Sequence, residues 1–267
     1  MVSVGVIPSR YASTRFPGKP LAKIAGRPLL EHVILGAQKS KKLSEILVAT
    51  DHEEIAALAK KAGARVVMTD PNLPTGTDRV WAALQGAGLT NVDVAVNIQG
   101  DEPLIQAEPL DALVQAFDGR PQVDMATLGR EMDLSTPEGL QALEAVTTAK
   151  IVLDEADRAL YFSRFAIPFS RVRPRTAGDA LKTSGSQEIR VPKAVLKHVG
   201  IYAYRPRFLE RFCAAPPCEL ELFEGLEQLR ALSLGAEIHV VRTHHESWGV
   251  DTPEDVEKIE KMLNRRS

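Results

Sequence analysis

The stretch Val2-Ser-Val-Gly-Val-Ile-Pro-Ser-Arg-Tyr-Ala-Ser-Thr-Arg-Phe-Pro-Gly-Lys-Pro20 decides the fold class. Its first six residues are nearly all apolar. They lack the alternation of a half-solvated strand and read as a strand buried on both faces. The loop that follows carries three fixed cations, Arg10, Arg15 and Lys19, and two hydroxyls, Ser13 and Thr14. Open α/β sheets bind ligands in such loops, at the carboxyl ends of their strands. The charge suits a polyphosphate, although a solvated basic loop also accounts for three cations taken alone. The loop is not a Walker A motif: Ser13 stands where the first Gly belongs, and Pro20 replaces the Ser/Thr after Gly18-Lys19. A Gly-x-Gly-x-x-Gly turn is also excluded, because Gly5 and Gly18 are the only glycines before Ala25.

Outward from this stretch, strand-like and helix-like segments alternate. Residues 28–39 have helical periodicity through Leu29, Leu30, Val33, Ile34 and Ala37, with Pro28 suited to the first turn. Residues 46–50 form a short apolar run. Residues 53–62 form a helix stopped by Gly63. Strands at 65–69, 93–98 and 124–128 alternate with helices at 77–85 and 108–117. Repeated strand–helix units with apolar strands predict a doubly wound, three-layer α/β domain with a mainly parallel sheet. Over 130–195 the pattern loosens. A β pair at 149–153 and 159–163, turned at Asp154–Asp157, lies before a polar segment at 171–190 that reads as an exposed loop. We expect one domain over 1–267 with an inserted β-rich subdomain at about 130–195. Strands at 195–204 and 237–241, a helix over 219–234 and a closing helix over 252–264 complete the chain.

At 267 residues and 44% apolar composition, the chain can bury a substantial core. A net charge of −2, with no long run of like charge, argues against a nucleic-acid-binding face. No apolar segment reaches the length of a membrane span. The amino terminus begins directly on a strand pattern, without a basic leader, so we expect a mature, unexported protein. Cys213 and Cys218 have no second pair to complete a metal site. Two thiols in a long chain suit a reducing cytoplasm.

Other constellations bear on chemistry. In Val96-Asn-Ile-Gln-Gly-Asp-Glu-Pro103 a strand ends at a tight turn that presents Asp101 and Glu102, carboxylates suited to Mg²⁺ beside a polyphosphate loop. A turn in which Asp101 caps the next helix is the alternative. In Trp248-Gly-Val-Asp-Thr-Pro-Glu-Asp255, Asp251 is an N-cap candidate that can still offer an oxygen to a metal. In Lys197-His-Val-Gly-Ile-Tyr202, His198 and Tyr202 share a strand face. Glu224 and Gln228, four apart on the expected helix, share a helical face. Thr75-Gly-Thr-Asp-Arg79 reads as a helix start capped by Thr77 or Asp78, with Arg79 directed at an anion or at solvent. No covalent nucleophile pairing is visible.

Together with Val48-Ala-Thr-Asp-His52, Ala159-Leu-Tyr-Phe-Ser-Arg164, Leu226-Glu-Gln-Leu-Arg230 and Gly249-Val-Asp-Thr-Pro-Glu-Asp255, these segments run in the order of one family over nearly the whole chain. The chain resembles the CMP-Kdo synthetases, the 3-deoxy-manno-octulosonate cytidylyltransferases. Small departures are Ser9 and Phe16 in place of Ala and Leu, Thr75 and Asp78 in place of Ser and Glu, and a longer, more basic segment at 171–190.

The resemblance implies a nucleotidyltransferase-like, Rossmann-like fold and Mg²⁺-dependent transfer of CMP from CTP to the anomeric hydroxyl of Kdo, releasing pyrophosphate. It implies that Arg10, Ser13, Arg15 and Lys19 hold the triphosphate, with Thr75 and Arg79 as further nucleotide contacts. Asp101 and Asp251 would ligate Mg²⁺, and Lys19, Asp101 and Asp251 would form the catalytic set. Gln99, His198, Tyr202, Glu224 and Gln228 would face the sugar acid, with Arg164 as a further candidate. A homodimer joined through the inserted subdomain, a cytoplasmic location and a product used in lipopolysaccharide assembly are also implied. The 8-amino relative of Kdo and sialic acid are alternative acceptors.

Overall fold

The structure is a computed structural model and describes residues 1–12, 16–169 and 194–264. The expected positions Ser13 and Arg15 and the 171–190 segment lie outside the described residues. The chain divides into two compact units: Met1–Ala126 with Gly200–Ala215 and His245 onward, and Thr127–Val199 with Pro216–His244. The expected insert at 130–195 falls within the first segment of the second unit, to which Pro216–His244 adds a further piece.

The first unit is organised by strand β1 (Ser3–Ser9). It pairs in parallel with β4 (Glu45–Thr50) on one side and β6 (Val94–Asn97) on the other, with Ile7 opposite Val48 and Gly5 opposite Val96. Strand β5 (Arg65–Met68) extends the parallel set beyond β4. The residues Gly200–Tyr204, the later half of β10 (Val195–Tyr204), run antiparallel to β6 with Tyr202 opposite Asn97. Helices also pack on β1, and Val4, Val6 and Ile7 are fully enclosed, as their unbroken apolar run predicts. Helix α1 (Leu29–Ala37) buries Leu29, Leu30, Val33 and Ile34, the expected stripe. Helices α2 (Glu53–Lys61) and α3 (Gly76–Gly86) pack against β4 and β5, and α3 also covers β1. Helix α4 (Ala107–Gln115) starts after Gln106, so Asp101 is not needed to cap it. The mixed α/β fold with a mainly parallel central sheet is the expected one.

Two short strands, β2 (Lys23–Ile24) and β3 (Arg27–Pro28), form a hairpin in this unit that the sequence reading missed. Strand β7 (Met125–Glu131) follows α4.

In the second unit, β8 (Lys150–Leu153) and β9 (Ala159–Ser163) form the expected hairpin, with Asp157 at φ 55° in its turn. β8 pairs antiparallel with the early residues of β10, Leu196 opposite Ile151. Helix α5 (Pro137–Glu144) is capped by Thr136. Helix α6 (Pro206–Ala214) belongs to the first unit. The single helix expected over 219–234 is instead two: α7 (Glu219–Glu224) and α8 (Gln228–Ser233). Gly225 at φ 63° ends the first, an αL stop that glycine adopts without penalty. Glu224 and Gln228 therefore do not share one helical face. Strand β11 (Ile238–Arg242) precedes the closing helix α9 (Pro253–Asn264). Among the described residues no helix is long and apolar enough to cross a membrane.

Candidate active site

The site assembles where β1 and β6 end. After Ser9 the chain turns back on itself. The Tyr11 amide donates to Asp51 Oδ1 at 3.1 Å, and the Tyr11 ring stacks on His52 with centroids 4.0 Å apart. Gly18, at φ 67°, donates its amide to the Tyr11 carbonyl at 3.1 Å, closing the loop and delivering Lys19 to the strand ends. The Lys19 ammonium then donates to Asp101 Oδ2 and to the Val250 carbonyl, both at 2.8 Å, and lies 3.6 Å from Asp251 Oδ1. Three segments remote in sequence thus converge on one ammonium group.

The turn after β6 is glycine-dependent. A Cβ on Gly100 would lie 2.7 Å from the Pro8 carbonyl oxygen and 3.0 Å from Ser9 Oγ. This close approach sets Asp101 beside the start of the loop. Its neighbour Glu102 departs from the expectation of two presented carboxylates. Glu102 is buried, accepts a hydrogen bond from the Ser247 hydroxyl, and has Oε2 3.7 Å from His245 Nε2.

The Asp255 carboxylate accepts the amides of Asp251 and Thr252 and the Thr252 hydroxyl, closing the start of α9 from the third position. Lys258 first, and then the Asp251 amide, hold the Asp255 carboxyl down at about 2. The Asp251 side chain reaches toward Lys19.

At α3 the cap is Thr75, not Thr77 or Asp78. Its hydroxyl accepts from the Asp78 amide, and the Asp78 carboxylate accepts the Thr75 amide, a reciprocal capping box. Arg79 does not point into bulk solvent. It is buried and donates to Thr69 Oγ1 at 2.5 Å and to Asp51 Oδ2 at 3.4 Å. Burial, partly offset by Asp51, lowers its guanidinium below the ordinary arginine range. Asp51 is thus a residue that sequence reasoning passed over: it ties both the Tyr11 amide and Arg79. The signal was its place at the end of β4, inside Val48-Ala-Thr-Asp-His52.

A cavity of about 310 Å³ opens at this point, lined by Arg10, Lys19, Thr75, Arg79, Gln99, Asp101 and Asp251 among others. Arg10 is exposed on its rim. Gln99 Nε2 donates to the Gly200 carbonyl at 2.9 Å, which orients the amide. Tyr202, also in the first unit, is half-buried.

The remaining expected sugar residues belong to the second unit. Glu224 accepts from the Ser163 hydroxyl at 2.6 Å and from the Arg164 amide at 2.9 Å, while Arg164 Nε donates back to the Glu224 carbonyl at 3.1 Å. Gln228 is buried at the start of α8. His198 Nε2 lies 3.0 Å from Thr127 Oγ1, and the ring meets Phe162 edge-on. Loss of water around the imidazole pushes it from about 6.5 to about 3, so it is neutral at ordinary pH.

The donor chemistry at Lys19 suits a divalent ion. The ammonium stands between two carboxylates, where a cation is favoured, and the side-chain ligands offered are all oxygen, which suits a hard ion. Among the described residues no cluster of three or more His, Cys, Asp or Glu could hold a metal. An ion here would complete its shell from phosphate and water, the usual habit of Mg²⁺.

Residues 4–238 match the family model described as cytidylyltransferase. A 3-deoxy-manno-octulosonate cytidylyltransferase of Bdellovibrio bacteriovorus is 49% identical over 99% of this chain and 98% of its own. An 8-amino-3,8-dideoxy-manno-octulosonate cytidylyltransferase of Shewanella baltica is 41% identical over 97% of each chain. A solved CMP:2-keto-3-deoxy-manno-octonic acid synthetase complexed with CTP superposes with a TM-score of 0.84, at 33% identity and full coverage of both chains. With most of its length matched by the family model and near-complete overlap with these relatives, the chain belongs to the cytidylyltransferase family.

Proposed function

We propose that this protein transfers CMP from CTP to the anomeric hydroxyl of 3-deoxy-D-manno-octulosonate and releases pyrophosphate. The observation that carries the reading is the Lys19 ammonium held between Asp101 and Asp251 at the mouth of the β1–β6 cavity. Support for the acceptor comes from the Bdellovibrio relative and the CTP-bound neighbour. In the reaction the sugar hydroxyl oxygen forms a bond to the α-phosphorus, the bond from that phosphorus to the bridging oxygen breaks, and the hydroxyl proton is lost to solvent. No protein nucleophile is required, so the chain contributes positioning and charge.

Lys19 and Arg10 supply positive charge toward the triphosphate, with Ser13 and Arg15 proposed alongside them from the family resemblance. Thr75 shapes the cavity wall through its cap, and Arg79 stiffens that wall through Asp51 and Thr69. Asp101 and Asp251 would hold Mg²⁺, which when bound offsets charge on the phosphates and acidifies a coordinated hydroxyl. Gln99, Arg164, His198, Tyr202, Glu224 and Gln228 are proposed to recognise the sugar acid. The neutral His198 offers a hydrogen bond without a charge, and Glu224 is pre-set by Ser163 and Arg164.

We also propose a cytoplasmic enzyme serving lipopolysaccharide synthesis and a homodimer. Exposed apolar side chains in the second unit support the dimer: Phe165, Leu222 and Phe223 are 74%, 72% and 89% exposed.

The test is pyrophosphate release from CTP and Mg²⁺ with a panel of acceptors. Kdo should be used best. Preference for the 8-amino relative would reassign the acceptor, preference for a sugar 1-phosphate would overturn the sugar-acid reading, and no release with any acceptor would reject the transferase.

A further inference from the structure

We propose that Glu102 is a positioning residue. Gripped by Ser247 beside His245, it fastens the segment leading into Asp251 onto the turn that carries Asp101, and so sets the spacing of the two carboxylates before any ligand arrives. This inference rests on the proposed metal role of Asp101 and Asp251.

Residues 243–251 have no regular secondary structure. A segment of this kind holds a functional carboxylate in register only if side-chain and isolated backbone ties fix it. Two ties join it to the β6 turn. The Val250 amide donates to the Asp101 carbonyl at 2.9 Å, next to Asp251 itself. Four residues before Asp251, the Ser247 hydroxyl donates to Glu102 Oε1. Each end of the stretch 247–250 is therefore pinned to one of two consecutive residues, Asp101 and Glu102. The intervening Trp248-Gly249 makes no such tie in its backbone among the described residues.

The burial of Glu102 strengthens the argument. Its residue exposure is 4%, and that of His245 is 8%. A carboxylate taken out of water is costly unless its partners make it up. Beside a half-buried Asp101, the cheaper arrangement would leave Glu102 in solvent. Instead it turns inward onto the very segment that must be fixed. Partners behind a metal ligand commonly act this way, and losing one costs about 10–100-fold in metal affinity or activity.

The experiment measures CTP affinity with and without Mn²⁺, in the absence of any acceptor so that no turnover occurs. The ratio of the two affinities reports the ion's share. In the wild type Mn²⁺ should tighten CTP, and Asp251→Asn should remove the gain. Ser247→Ala should cut the gain by about tenfold, while metal-free CTP affinity stays at the wild-type value and the melting temperature falls by only a few degrees, leaving the protein folded under the assay conditions. Ser247→Thr, which keeps the hydroxyl, should restore it. Glu102→Ala should match Ser247→Ala, and the double variant should be no worse than either, the mark of one shared contact. Should Glu102→Ala fail to fold, the half-buried Ser247 carries the test alone. An unchanged gain in Ser247→Ala would overturn the proposal. So would parallel loss of metal-free CTP binding, because a general structural defect would then suffice. A wild type whose CTP affinity ignores Mn²⁺, or an Asp251→Asn variant that keeps the full gain, would overturn the metal reading and this inference with it. Those two results are distinct from a clamp that fails on a working metal site.

Discussion

Gly100→Ala tests how closely the cavity is built. The added methyl carbon would lie 2.7 Å from the Pro8 carbonyl oxygen, about 0.7 Å short of the 3.4 Å at which such contacts become ordinary, and 3.0 Å from Ser9 Oγ. The opposing atom is backbone of β1, so no flexible side chain can swing aside. Either β1 or the β6 turn must shift, and each carries part of the site: Arg10 and Lys19 follow the first, Asp101 lies on the second. Overpacking of this kind costs about 1–3 kcal/mol of stability. Displacement approaching 1 Å at a positioning element costs up to about 100-fold in rate. We predict a fall of about 10–100-fold in kcat/KM for CTP. The readout is pyrophosphate release with Kdo, well below a melting temperature measured in parallel. A variant within twofold of wild-type rate would refute the reasoning, for it would mean that the two segments can part without disturbing catalysis.

Asp101→Asn and Asp251→Asn should each lower turnover by at least about 100-fold with little change in melting temperature; a near-normal rate in either would remove that residue from the catalytic set. Lys150 is fully buried, and its ammonium donates to the carbonyls of Ala145, Thr148 and Arg164. Lys150→Met strands those acceptors and should cost about 3 kcal/mol or more in urea unfolding; a cost below 1 kcal/mol would show that water or a rearranged backbone takes over. His198 has a folded-state value of about 3, below its unfolded 6.5. As pH falls below 6.5 the unfolded chain takes up a proton that the folded chain refuses, so the stability advantage of the neutral state is lost between 6.5 and 3. From pH 7.5 to 5 the wild type should therefore lose about 2 kcal/mol more than His198→Asn. Equal losses would mean that His198 titrates normally in the fold.

The parallel sheet was legible because β1, β4 and β6 are buried on both sides, and such strands write uninterrupted apolar runs into the sequence. The strand-end position of Asp101 placed it beside the cationic loop, while Asp251, more than two hundred positions from Lys19, was tied to the pair only through the resemblance. Local signals were misjudged where two of them competed. At Thr75-Gly-Thr-Asp78 three cap candidates sit in four residues, and the reciprocal bond between the first and the last decides for Thr75. Over 219–234 the apolar periodicity runs through Gly225, yet its backbone freedom ends the helix there. Glu102 read as a presented carboxylate because it adjoins Asp101. Its inward turn depends on Ser247 and His245, far along the chain, which no local pattern reports. Asp51 was hidden for the same reason, as its two partners lie on separate segments.

The internal counter-ion at Lys19 has a consequence for handling the protein. Two acids left bare beside one another would repel, and a protein whose fold draws on a bound metal denatures when a chelator strips it. Here the opposing charge belongs to the polypeptide itself and cannot be dialysed away. The empty enzyme can therefore persist intact in chelating buffer, and its durability in storage is uncoupled from the divalent supply on which its chemistry would draw.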